Sequence, residues 1–136
     1  MVDMQTSIFL AQLIGPVLAL MGLFVAIHPT RVEAMGREVL ESPTLLLLAG
    51  LLALVPGLAI VLSHNIWVAD WRAVITVLGW IMLVAGTSRI LLPGLMQKMG
   101  DNMLRHRALI MVPSVLMLAL GGYLIWVGYL TQLPQE

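Results

Sequence analysis

Apolar and polar residues fall in long blocks along this chain and do not alternate residue by residue. Four apolar stretches, Ser7 to Ile27, Thr44 to Ser63, Arg72 to Leu92 and Ala108 to Leu130, carry no acidic or basic side chain in their central portions. A helix needs about 20 mainly apolar residues to cross about 30 Å of hydrocarbon, so each stretch predicts a membrane-spanning helix. The pattern also repeats: Gly15, Gly22, Pro29, Met35 and Gly36 recur 64 residues later as Gly79, Gly86, Pro93, Met99 and Gly100. Because the frame runs from an apolar stretch into the polar turn after it, the repeated unit is a pair of spans, residues 7–69 and 71–131. The expected fold is all-α: one transmembrane domain, a four-helix bundle built from two helical hairpin repeats. An even number of spans per unit gives both halves the same orientation, unlike the inverted repeats of many transporters. The second and fourth spans match each other less well, through Gly57 and Gly122 after a one-residue shift.

The segments after the first and third spans carry a second pattern. Beyond Pro29, Thr30 and Glu33 have the spacing of a capping box, and Val32, Met35 and Val39 follow at helical intervals. Beyond Pro93, Leu95, Met96, Met99, Met103 and Leu104 form an apolar face beside Lys98, Arg105 and Arg107. Both read as short helices lying in the membrane interface. The same segments hold most of the cations. Arg31 and Arg37 lie in the first, Arg89, Lys98, Arg105 and Arg107 in or beside the second, and only Arg72 elsewhere. Short basic loops stay on the cytoplasmic side, which places residues 28–43 and 93–107 inside and both termini outside.

Composition narrows the class further. Hydrophobic residues make up 60% of the chain and charged residues 10%, and the mean hydropathy is +1.00, values incompatible with a water-exposed globular surface. A leader of MVDMQT, with Asp3 and no Lys or Arg, lacks the positive region of a signal peptide, so the first span is expected to be retained. With no cysteine, disulfide relay and thiol nucleophiles are excluded. Zero formal net charge gives no reason to expect nucleic acid as a partner.

Within the spans, small residues form stripes three or four positions apart: Ala11, Gly15, Ala19, Gly22 and Ala26 in the first, and Ala49, Ala53 and Gly57 in the second, with Gly79 and Gly86 as repeat counterparts. Such stripes let helix backbones approach closely in lipid, sealing each hairpin or meeting another subunit. Trp67 and Trp71 flank the turn between the two halves, four residues apart and on one face if that turn is helical. Together with Trp126 they read as anchors at the membrane–water boundary; Trp80, deeper in its span, reads as packed.

Candidate chemistry is sparse. His28 and His106 both stand at the cytoplasmic boundary and are the only pair that could serve as axial ligands to a haem or pigment; the ordinary reading is hydrogen bonding to water or backbone. Arg89 lies close to hydrocarbon, where its side chain can snorkel to the headgroups and, with Thr87 and Ser88, hold a lipid phosphate. No catalytic residue and no metal ligand set stands out, and no cofactor is expected. The first span lacks the membrane-embedded Glu of small multidrug antiporters, Gln12 being its nearest polar residue. Fluoride channels and four-helix glutathione-dependent enzymes have polar or charged span positions that this chain lacks.

The run from Gly22 through Pro29 to Met35, repeated from Gly86 through Pro93 to Met99, resembles the YjeT-like family of short two-helix bacterial inner-membrane proteins. The resemblance covers each half separately and implies a duplicated hairpin with no catalytic residues to carry over. The expected function is therefore not enzymatic: an accessory or assembly subunit, with membrane lipids around it and a homo-oligomer or larger membrane complex as partner. The alternative is a small carrier or channel for an apolar or lipid-like solute, and the third reading a haem or pigment subunit.

Overall fold

The structure is a computed structural model that describes residues 4–131. Six α-helices follow one another with little loop between them: α1 (Met4–Ile27), α2 (Pro29–Glu41), α3 (Pro43–Ser63), α4 (Arg72–Leu91), α5 (Pro93–Arg105) and α6 (Arg107–Ile125). The last runs on into a wider, π-type turn, Trp126–Leu130. Met4–Ile27, Pro43–Ser63, Arg72–Leu91 and Arg107–Leu130 are each long and apolar enough to cross a membrane, making this a multi-pass membrane protein. The short helices α2 and α5 hold no buried residue.

Single residues break the helices, for local reasons. Proline's ring keeps the residue before it out of the helical region and suits the first helical position itself. His28, before Pro29, has φ −123° and ψ 56°; Leu92, before Pro93, has φ −126° and ψ 58°. The next breaks agree equally well: Ser42 at φ −101° and ψ 113°, and His106 at φ −111° and ψ 111°. The Ser42 hydroxyl accepts from the Leu45 N–H at 3.3 Å, an ordinary N-cap. No side chain caps α2, however, because Pro29 already begins the helix and leaves His28 at the cap position. Thr30 and Glu33 therefore make no capping box, and Glu33 pairs with Arg37 at 3.1 Å.

The long helices pack in two pairs, α1 with α6 and α3 with α4, while α2 lies against α5. The stripes thus join the chain's first span to its fourth and its second to its third, and the expected seal within each hairpin is not what forms. Backbones touch across both seams. A Cβ on Gly22 would lie 2.8 Å from the Leu118 nitrogen and 2.9 Å from the Ser114 oxygen; one on Gly86 would lie 2.5 Å from the Leu54 nitrogen and 2.7 Å from the Gly50 oxygen. Leu54 and Leu118, like Gly50 and Ser114, are 64 positions apart. One turn further along, Gly121 meets Ala19 and Gly57 meets Leu83 in the same way. Gly122 has open space where a Cβ would go, so the partner of Gly57 in the repeat frame is Gly121, with no shift.

Between the helix pairs the contact is narrow. It centres on Ala11, Ile75, Ile60 and Leu124, with Ile14, Leu18, Leu78 and Met82 around them. Here too each residue has its counterpart 64 positions on: Ala11 with Ile75, Ile14 with Leu78, Leu18 with Met82, and Ile60 with Leu124. Pro16, inside α1, has no N–H to bond the Gln12 carbonyl. That carbonyl accepts instead from the Tyr129 hydroxyl at 2.9 Å, a tertiary bond of the kind that lets a spanning helix carry proline.

Candidate functional site

Polar side chains gather at two ends of the molecule. At the end opposite α2 and α5, Ser7, His64 and Thr76 are fully buried. His64 follows α3 immediately, Thr76 lies in the second turn of α4, and Ser7 enters from α1. The His64 ring bridges them: Nε2 is 2.9 Å from the Ser7 hydroxyl and Nδ1 is 3.2 Å from Thr76 Oγ1. Thr76 Oγ1 also accepts from the Ile66 N–H at 3.1 Å and lies 3.0 Å from the Ile66 carbonyl oxygen. One assignment satisfies the whole group. Nδ1 donates to Thr76, Thr76 donates to a carbonyl, and Ser7 donates to Nε2.

Burial lowers the His64 pKa by penalising the charged ring; a backbone hydrogen bond at His64 opposes this, and the positive Arg72 adds to it. A Ser–His contact suggests a nucleophile, but Ser7 has no accessible surface for a substrate to reach. The group acts as a latch that ties α1 to the end of the α3–α4 pair. Its counterpart positions are different. Gln12, 64 residues before Thr76, donates to the Gly128 carbonyl at 2.7 Å, matching the 3.2 Å approach of Thr76 Oγ1 to the His64 carbonyl oxygen.

The turn between the halves is irregular, not helical, from His64 to Trp71, so Trp67 and Trp71 do not share a helix face. Trp67 is 63% exposed and donates to Asn65 at 2.7 Å, whereas Trp71 packs on the contact between the helix pairs. Asp70 accepts from the Trp71 N–H at 2.7 Å and pairs with Arg72 at 3.3 Å. Trp126 is exposed, with its ring 6.2 Å from that of Tyr123. Trp80 is exposed as well, on the outer side of α4 and not packed inside.

At the other end, α2 and α5 meet at two glycines. Gly36 lies against Leu104 and Gly100 against Leu40, a reciprocal contact at 64-residue spacing. Beside it, Arg37 pairs with Glu33 at 3.1 Å and with Asp101 at 3.4 Å, and Asp101 pairs with Arg105 at 2.9 Å. Gln97 adds a bond to the Leu40 carbonyl at 2.9 Å. Arg37 and Asp101 occupy equivalent positions with opposite charge.

Arg89 lies in the last turn of α4. It lines a cleft of about 270 Å³ with Pro43, Leu46 and Leu47 of α3, Ile90, and Pro93, Gly94 and Gln97 of α5. Thr87 and Ser88 donate instead to the carbonyls of Leu83 at 2.8 Å and Val84 at 2.7 Å, in their own helix, so of these three only Arg89 lines the cleft. His28 stacks at a tilt on Phe24, ring centroids 5.4 Å apart. His106 Nδ1 lies 3.1 Å from the Asn102 carbonyl oxygen. The two histidines each sit at a helix break, on separate positions of the repeat frame. Among the described residues no group of three or more His, Asp or Glu side chains is placed to hold a metal ion.

The small-residue stripes come together as the seams already described: Gly15 meets Gly121 and Ile125, Gly79 meets Ile60 and Val61, and Ala11 is fully buried. Ala19 forms the wall opposite Gly121, while Ala49 and Ala53 are half-buried. Gly50, Ser114 and Gly121 belong to these seams although their own stretches do not single them out. Their signal is the 64-residue frame. Comparison of the chain with protein-family models, with curated proteins and with solved structures gives no match.

Proposed function

We propose that this is a non-enzymatic protein of a bacterial cytoplasmic membrane, a bundle of four spans made from two repeats of like orientation, working as an accessory or assembly subunit. Six of its seven Lys and Arg residues lie at or beside the α2–α5 end, Arg72 being the exception, which supports a cytoplasmic α2–α5 face and periplasmic termini. The repeat reading is supported by the 64-residue correspondence of both glycine seams, both pairs of helix breaks and the contact between the helix pairs.

One observation carries the accessory role. The glycine seams are already filled within the chain, while apolar side chains stand exposed along all four spans, among them two equivalent stripes, Leu13, Val17, Leu20 and Ile27 on α1 and Val77, Ile81, Val84 and Leu91 on α4. They give a partner helix an apolar face to pack on. Several uncharged polar groups of the spans are engaged internally, Gln12 on Gly128 and Thr87, Ser88 and Ser114 on their own helices. That suits a packing protein better than a carrier.

Extraction of the native membrane into lipid particles, followed by mass analysis, tests the role. Stoichiometric recovery of a larger complex is the expected result; a homo-oligomer that moves solute in liposomes overturns it. The cysteine-free chain also allows a clean topology test. Lys98→Cys is expected to react only with reagents admitted to the cytoplasm, and Asn65→Cys with impermeant reagents from outside.

A further inference from the structure

We propose that the Arg89 cleft is a binding site for the headgroup of one anionic phospholipid, which lays its phosphate on the guanidinium and leads its chains out past the exposed Leu47 into the surrounding bilayer. The inference rests on reading the chain as membrane-spanning and is independent of its accessory role.

Three features of the cleft support it. First, among the described residues Arg89 makes no ion pair or hydrogen bond, whereas Arg37, Arg72 and Arg105 are all paired. A cation near hydrocarbon draws an anion or water to it, and guanidinium matches phosphate geometry with two parallel N–H donors. Second, the cleft is amphipathic in the order that a lipid requires. Its walls are Leu46, Leu47, Ile90 and two prolines, with Arg89 and the Gln97 amide as its polar groups. A volume of about 270 Å³ holds a headgroup and leaves the chains outside. Basic pockets between spanning helices bind anionic headgroups in this way.

Third, the other half of the chain lacks the site. Val25 stands where Arg89 does, and Glu33 where Gln97 does. Glu33 is already engaged by Arg37, whereas the neutral Gln97 leaves Arg89 uncompensated. The lining is open at Gly94, where a Cβ would meet no atom within 4 Å.

The test uses the delipidated full-length protein in detergent, titrated with phosphatidylglycerol and followed by native mass spectrometry. One phosphatidylglycerol is expected to bind ahead of all others, with phosphatidylcholine much weaker. Arg89→Gln should weaken that first binding by at least about tenfold, the loss expected for a charge-assisted contact. Gly94→Leu, which adds bulk at the cleft's lining, should weaken it similarly. Arg107→Gln, an unpaired cation outside the cleft, should leave it unchanged, and a large excess of inorganic phosphate should not displace the lipid.

Equal binding by wild type and Arg89→Gln overturns the proposal, as does an equal loss in Arg107→Gln, which would mark a diffuse surface charge. Displacement by inorganic phosphate would show an anion site, not a lipid site. A failed titration with the partner complex still recovered would leave the accessory reading standing. Failure of the chain to sediment with membranes would strike the spanning reading itself.

Discussion

The helix seams and the polar ends of this molecule follow opposite rules. At the seams, glycines 64 apart make the closest approaches in the same way, Gly22 with Gly86 and Gly57 with Gly121. At the ends, equivalent positions hold different chemistry: Ser7 against Trp71, His64 against Gly128, Val25 against Arg89, Arg37 against Asp101. Close backbone approach admits almost one solution, because lipid gives no other drive for helices to associate. Polar ends face no such limit. One half can then supply what the other binds, so that a latch, a cation and an ion pair each arise once.

The seams offer the strongest way to break this comparison. Gly86→Ala places a methyl 2.5 Å from the Leu54 nitrogen, and Gly22→Ala one 2.8 Å from the Leu118 nitrogen; both neighbours are backbone and yield only if the helices part. Each variant should lose about 1–3 kcal/mol, the usual cost of overpacking, read as a fall in thermal stability in detergent. Similar losses at the two sites would support equal seams. Gly122→Ala, facing open space, should stay within about 0.5 kcal/mol of the parent.

Next in size is the latch. Ser7→Ala leaves a fully buried His64 nitrogen without its partner, at a cost of about 1–3 kcal/mol and toward the lower end of that range if water enters. The latch should also respond to pH. Since burial holds the folded-state pKa of His64 below its ordinary value of about 6.5, the unfolded chain binds the proton first as pH falls. Stability should therefore be fully present above about 6.5 and decline below it, down to the depressed folded-state pKa. His64→Gln should flatten that slope. An unchanged slope in this variant would place the pH response elsewhere.

Much of this architecture is legible in the sequence, for reasons that also mark where legibility stops. Span length and apolar composition are properties of one segment, and so are the prolines that end α1 and α4. A stripe such as Gly15 and Gly22 tells which face of α1 is packed but not which helix meets it. Pairing α1 with α6 and pairing it with α3 would both bury that face. The latch is harder still to read. Ser7 and Thr76 lie 57 and 12 positions from His64 and the three form no motif; the only trace is that the repeat frame fails at each of them. The capping box at Thr30 and Glu33 misleads because Pro29 takes the helix start, and the tryptophan face fails because the turn is not helical.

The smallest expected effect concerns Arg37 and Asp101, where the two halves differ in charge at one repeat position. Had both halves kept one charge there, like charges would meet across the α2–α5 contact; opposite charges favour the pairing of one half with the other. Swapping the two residues is a poor test. It would set an acid at position 37 beside Glu33 and a base at position 101 beside Arg105, adding two repulsions of its own. A cycle of neutral variants, Arg37→Gln, Asp101→Asn and the double change, isolates the pair. Both side chains are 42% exposed, and solvent screens such a pair, so the coupling should be about 0.2–1 kcal/mol and fall with added salt. A coupling of zero at low salt would mean that the contacts of Gly36 with Leu104 and Gly100 with Leu40 and the Gln97 bond to the Leu40 carbonyl hold the two helices without this pair. The charge difference would then have no part in matching the halves.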